Sequence, residues 1–204
     1  MSILVVRHGQ TAWSLSGQHT GTTDVPLTAE GEAQARALAP VLAARRACLV
    51  LSSPRVRARR TAELAGLAAD APVRLDDDLV EWDYGGYEGR TTAEISEQLG
   101  RPWSVWHDGV VPGGTPGETV HQVATRARAV LGRAATAVRE AGGDGGADVV
   151  LVAHGHLLRV LAACWLGLSP TAGALFALDA GTWGELGHEH GRPVLTRWNV
   201  PAGG

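Results

Sequence analysis

The sequence predicts an α/β fold: a three-layer sandwich with a mostly parallel central sheet flanked by helices and a lid inserted at about 76–118. Three observations carry this. Short apolar runs at Ile3–Val6, Cys48–Ser52 and Val149–Ala153 have the length of strands buried on both faces. Segments with helix start and stop signals separate them. Two of the runs end in His-Gly, so polar chemistry begins abruptly at a strand's C-terminal end. A length of 204 residues suits one domain, 1–204, large enough to bury a substantial core.

Each element has a local reason. Ile3–Val6 leads into Arg7-His8-Gly9, at the edge where open α/β sheets hold their ligands. Thr28 reads as an N-cap, with Glu30 and Glu32 near the positive end of a helix to about Ala44 that Pro40 could kink. Ser53-Pro54 reads as a cap and first-turn proline opening a helix to about Ala69. Residues 76–118 are irregular and rich in Gly, Trp and acidic side chains, with a short helix near Thr92–Leu99. A long helix covers about Thr119–Glu140 and stops at Gly142-Gly143, and Gly142–Gly146 reads as a flexible surface loop. A helix through Leu157–Leu166 follows the third strand. Short strands near Leu175–Leu178, Trp183–His188 and Val194–Trp198 complete the sheet.

Composition excludes several functions. Apolar residues make up 45% and charged residues 19%, the balance of an ordinary folded protein. All 18 basic residues are arginine, so every fixed positive charge is a planar guanidinium. A net charge of −3 and the lack of a basic block argue against nucleic acid as a partner. Cys48 and Cys164 sit among apolar neighbours and read as buried, reduced thiols. The N-terminal apolar run is too short for a signal peptide or anchor, and no later run reaches spanning length. The expectation is a cytoplasmic protein without a membrane partner.

A histidine at a strand end is structural more often than catalytic. Two of them, His8-Gly9 and His154-Gly155, shift that balance, because parallel strands deliver their C-termini to one edge of the sheet. Arg7 adjoins the first, Arg159 follows the second by a helical turn, and Arg57 opens the helix after the second strand.

The run Leu4-Val5-Val6-Arg7-His8-Gly9-Gln10-Thr11 resembles the signature of the histidine phosphatase superfamily, the phosphoglycerate-mutase-like fold. Further segments agree in order: Ser52-Ser53-Pro54-Arg55-Val56-Arg57-Ala58, Leu79-Val80-Glu81 with Tyr84-Gly85-Gly86-Tyr87-Glu88-Gly89, and Val152-Ala153-His154-Gly155. The resemblance implies a metal-independent phosphomonoesterase with no cofactor, acting on a small phosphorylated metabolite. It implies His8 as nucleophile, with Arg7, Arg57 and His154 on the phosphoryl oxygens, Gly155 against the substrate, and Glu81 as proton donor to the leaving oxygen. The chemistry fits. A transferring phosphoryl group spreads charge over its equatorial oxygens, which guanidiniums match. The nucleophilic nitrogen must be unprotonated, and nearby cations push His8 below its reference of about 6.5. His154 is expected to gain a proton when phosphate dianion arrives. Glu81 must carry a proton for an alkoxide to leave, so turnover should favour mildly acidic pH.

Secondary positions keep two readings. Ser14 stands where the family often carries asparagine and could donate to phosphate; Thr22 stands where a basic residue is common, or in an ordinary turn. His154/His156 and His188/His190 are spaced like metal ligands, yet no Cys or carboxylate cluster completes a set, and His156 is expected to cap or pack against its helix. Trp82, Tyr84, Tyr87, Trp103 and Trp106 either pack the lid or wall a pocket, and Gly109–Glu118 reads as a mobile lip. The region Glu81–Gly89 is similar to acid phosphatases and sedoheptulose-bisphosphatase-like members, which implies sugar phosphates as substrates. The alternatives are a cofactor-dependent phosphoglycerate mutase, a protein phosphatase, and a non-catalytic phospholigand-binding module, the last expected to have lost His8 or Glu81. Both a monomer and a homodimer remain open.

Overall fold

The computed structural model describes residues 2–67, 72–110, 117–142 and 147–202. Its sheet has six strands in the order β3-β2-β4-β1-β5-β6. β1 (Ile3–Arg7), β2 (Ala47–Ser52), β3 (Val73–Leu75) and β4 (Asp148–Ala153) are parallel, whereas β5 (Thr182–Glu189) and β6 (Arg192–Pro201) run antiparallel as a hairpin on the β1 side. The expected α/β sandwich is the observed one.

Period-two alternation along the strands makes the layers. Ile3, Val5, Leu49, Leu51, Val149 and Leu151 point to one face, against α6 (Val120–Glu140), α7 (Gly155–Trp165) and the aromatic residues of the insertion. Leu4, Val6, Val50, Val150 and Val152 point to the other. There they meet Leu38 and Leu42 at α2 (Ala29–Ala37) and α3 (Ala39–Ala43), and Ala58 and Ala62 on α4 (Val56–Leu64). Both faces are covered, so the strands read as continuous apolar runs.

Register then places the histidines. In the parallel β1–β4 pair Arg7 lies opposite Ala153, so the next residue of each strand is His8 and His154. Ser52 lies opposite Val152 on β4's other side, which brings Ser53 to the same edge. Gly9 crosses Gly31 of α2 so closely that a Cβ on Gly9 would sit 2.2 Å from the Gly31 carbonyl oxygen. Only glycine allows that crossing, which locks the loop after β1 against α2.

Several boundaries differ from the expected ones. The helix after Thr28 ends at Ala37 and restarts at Ala39, because Pro40 has no N–H to donate back to Arg36 and its ring crowds that carbonyl. α4 starts at Val56 rather than Pro54: Asp24 accepts the Val56 N–H at 2.8 Å, a cap supplied from a distant loop. The expected strand at Leu175–Leu178 is a 3₁₀ turn over Pro170–Leu175 followed by unpaired chain. Its carbonyls serve side chains instead of a ladder: Ala177 accepts from Trp198 Nε1 at 2.6 Å and Leu178 from Arg7. Two elements had not been expected, α1 (Ala12–Ser16), capped by Thr11, and the three-residue β3. α5 (Thr92–Leu99) falls where the sequence places it. The helix expected to run to about Ala69 ends at Leu64, because Gly66 turns the chain at a φ of 74° and its N–H bonds the Glu63 carbonyl at 3.0 Å; most of the Gly109–Glu118 lip and most of the Gly142–Gly146 loop lie outside the described residues. Among the described residues, no helix is long and apolar enough to cross a membrane.

Candidate active site

Above the C-terminal ends of β1 and β4 lies a cavity of about 150 Å³ lined by Arg7, His8, Ser14, Glu81 and Gly155 among others. Arg57 and His154, both fully buried, stand behind His8 rather than on the cavity wall; the His8 and His154 rings are 5.2 Å apart.

The chain around His8 decides its tautomer. Nδ1 lies 2.7 Å from the Gly9 carbonyl, which can only accept, so Nδ1 carries the hydrogen. Burial, and then the Arg57 and Arg7 charges, push the His8 pKa well below 6.5. The ring is therefore neutral at pH 7, with its remaining lone pair on Nε2.

His154 is held differently. Its Nδ1 accepts from Arg57 Nε at 3.2 Å, which leaves the hydrogen on Nε2, 2.7 Å from Ser53 Oγ. Burial first, then Arg57, hold its pKa well below 6.5. Both ring nitrogens are thus engaged inside the protein, and the expected proton uptake on phosphate binding has no free lone pair to receive it. The rest of the Arg57 fork is spent on backbone, with Nη1 on Thr23 O and Nη2 on Thr20 O, each at 3.0 Å. Arg7 donates Nη1 to Leu178 O, while its buried Nε meets no acceptor among the described residues. Gly155 leaves room for this guanidinium: a Cβ there would lie 3.3 Å from Arg7 Cζ and Nε.

Glu81 is buried at the start of α7. Its Oε1 accepts from Trp82 N at 2.9 Å and Leu157 N at 2.8 Å, and Oε2 from His156 N at 3.0 Å. A helix N-terminus is a natural seat for a carboxylate. Behind it Arg126 of α6 donates to the carbonyls of Asp78 at 2.7 Å and Val80 at 3.0 Å, and pairs with Glu118 at 2.7 Å.

The remaining expectations divide. Ser14 lines the cavity, but its hydroxyl already accepts from Thr11 N at 2.9 Å and bonds Thr11 O at 3.1 Å in the α1 cap. Thr22 is exposed and off the wall; its neighbours Gly21 and Thr23 donate their N–H groups to Glu88 at 3.0 Å. Of the aromatic cluster, Trp82, Tyr87 and Trp103 are buried core, and Tyr84 both packs in the core and lines the cavity. His156 does more than pack: it lines the cavity, as do His19 and Arg159. Arg159 was legible as a guanidinium one turn past His154. His19 had no local signal, because a loop brings it in. His188 packs on Trp165, with ring centroids 4.9 Å apart. No cluster of metal-ligating side chains occurs among the described residues.

The chain is similar in sequence and in fold to known proteins. The description "Histidine phosphatase superfamily (branch 1)" matches residues 3–201. Sedoheptulose 1,7-bisphosphatase of Saccharomyces cerevisiae is 40% identical over 186 residues, covering 81% of this chain and 67% of that protein. An acid phosphatase of Mycobacterium tuberculosis is 39% identical, covering 93% and 87%. The solved structure of mycobacterial glucosyl-3-phosphoglycerate phosphatase with inorganic phosphate aligns with a TM-score of 0.83 at 31% identity, covering 98% of each chain.

Proposed function

From the premise that this chain belongs to the histidine phosphatase superfamily (branch 1), we propose that His8 Nε2 is the nucleophile that removes phosphate from small sugar phosphates. The chain is a histidine phosphatase, an enzyme class that works without a metal ion. The observation that carries the His8 assignment is its tautomer: a buried neutral imidazole with Nδ1–H on Gly9 O keeps its lone pair on Nε2.

The steps balance. His8 Nε2 attacks phosphorus, the P–O ester bond breaks, and the alcohol leaves with a proton from Glu81. Water then attacks the phosphohistidine, gives its proton back to Glu81, and the P–N bond pair returns to His8. Glu81 Oε2 holds a single N–H donor, so it keeps room for this proton. Arg7 Nε, a buried donor without an acceptor among the described residues, is suited to a phosphoryl oxygen. Arg57 and His154 support from behind: each fixes the other, and Arg57 adds the charge that keeps His8 unprotonated. The sugar-phosphate reading draws on the relatives' substrates and on the polar side chains of the cavity wall, Arg159 among them.

The test is phosphate release from a panel of sugar phosphates and phosphoglycerates with chelator present, in wild type and His8→Ala, with trapping of phosphoenzyme by rapid quench into alkaline denaturant. Wild type should show an acid-labile phosphohistidine, and the variant should lose at least about a thousandfold in kcat. Release that persists in the variant would overturn the His8 assignment. Transfer to a phosphoglycerate in place of water would make the enzyme a mutase.

A further inference from the structure

The His156 ring, two residues beyond His154, is used by none of the steps above, yet it is framed by aromatic rings and a phenol hydroxyl. The His156 backbone N–H holds Glu81 Oε2 at 3.0 Å. Its ring is flanked by Trp106 at 5.1 Å, Tyr84 at 5.7 Å and Trp82 at 6.3 Å between centroids. Its Nδ1 lies 2.6 Å from the Tyr84 hydroxyl.

That contact sets the tautomer. Tyr84 is 1% exposed, and its hydroxyl has no other partner among the described residues. Were Nδ1 to donate, the phenol hydrogen would be buried without an acceptor among the described residues, and the hydroxyl would lose its hydration with nothing in exchange. The phenol is therefore the donor. Burial keeps it protonated and keeps the imidazole neutral. A neutral ring that accepts at Nδ1 carries its hydrogen on Nε2, which has no hydrogen-bond partner among the described residues, on a half-buried residue that lines the cavity.

We propose that His156 Nε2–H, aligned by Tyr84, is a specificity-determining donor that selects phosphate esters whose alcohol carries a free hydroxyl close to the ester. This rests on the His8 and Glu81 reading above. If Glu81 protonates the leaving oxygen, the group beside His156 is the departing alcohol and not the phosphoryl. A fixed N–H donor beside it rewards an oxygen and penalises a methylene, because the donor loses its water without gaining a partner.

The experiment compares kcat/KM for glycerol phosphate and for propyl phosphate, which has the same carbon chain without hydroxyls. Wild type should prefer glycerol phosphate by about tenfold or more. His156→Phe should collapse that preference to within about twofold, and His156→Gln, whose amide nitrogen replaces Nε2, should restore most of it. Tyr84→Phe should reduce the preference severalfold, mainly through KM for glycerol phosphate. In wild type, nitrogen-15 NMR should find His156 protonated at Nε2 and not at Nδ1, a reading that needs no variant to fold. No preference in wild type, equal losses on both esters in His156→Phe, or an Nδ1–H tautomer would each overturn the proposal. Loss of His8 dependence on both esters would overturn the His8 reading and this one with it; intact His8 dependence with equal losses overturns this one alone.

Discussion

One methyl group separates Arg7 from the helix it faces. Gly155 opens α7, and a side chain there would meet the Arg7 guanidinium at 3.3 Å. That contact is tight enough to force a shift of a few tenths of an ångström, about the tolerance to which a phosphoryl clamp must be held. Alanine is also a better helix former than glycine by about 1 kcal/mol. Gly155→Ala should therefore lower kcat/KM by about tenfold while Tm holds or rises, as thermal denaturation beside steady-state kinetics would show. A fall in Tm with unchanged activity would mean that Arg7 moves away freely. Arg7 Nε, which meets no acceptor among the described residues, adds to this sensitivity, since a buried donor left unpaired costs roughly 1–3 kcal/mol that binding of a phosphoryl oxygen recovers.

Between elements, the decisive contact is Arg126, which ties α6 to the chain leading into Glu81. It donates to the Asp78 and Val80 carbonyls and forms a two-nitrogen pair with Glu118, while the Glu118 carbonyl accepts from Trp82 Nε1 at 2.7 Å. In sequence Arg126 reads as an ordinary arginine on a long helix. Arg126→Gln removes the charge that Glu118 needs and frees the backbone before Glu81. It should cost about 2–4 kcal/mol of stability by urea denaturation and lower kcat more than it raises KM. Loss of stability with kcat intact would show that Glu81 is held by α7 alone. The capping box in which Thr119 bonds Gln122 explains why this helix starts where the sequence places it.

Over the whole molecule, three buried histidines, His8, His19 and His154, and the half-buried His156 gather around one edge of the sheet, and their titration couples the site to the fold. Burial holds His8, His154 and His156 well below 6.5, with nearby arginines adding to the shift, and brings His19 down to about 4. Folded values below the unfolded 6.5 mean that the unfolded chain binds more protons as pH falls. The stability is thus complete above about pH 6.5 and is lost below it, by roughly 2 kcal/mol for His19 between pH 7 and pH 5, with the other three rings adding to the loss in the same direction. Tm should fall by at least about 5 °C over that interval, and the His19 contribution to the decline ends near pH 4, where the folded ring itself takes up the proton. A Tm flat from pH 7 to pH 5 would mean that these rings are hydrated. Turnover should favour mildly acidic pH, where a substrate monoanion brings the proton that Glu81 passes on, so activity and stability pull in opposite directions below neutrality.

Much of this was legible in the chain itself. Strands buried on both faces declare themselves as unbroken apolar runs, and the long helix carries its own cap and stop, because these signals are local. Two such strands ending in histidine are enough to bring His8 and His154 to one edge. Features without a local cause stayed hidden. β3 is too short to show a pattern, the cap on α4 comes from Asp24, and the false strand at Leu175–Leu178 gives its carbonyls to Arg7 and Trp198. Within the site, the sequence determined which residues gather at the edge. Only tertiary structure decided which stand on the cavity wall and which behind it, which tautomer each histidine keeps, and that His156 and His19 join Arg7 and Glu81 there, because each of those outcomes is set by hydrogen bonds between residues far apart in the chain.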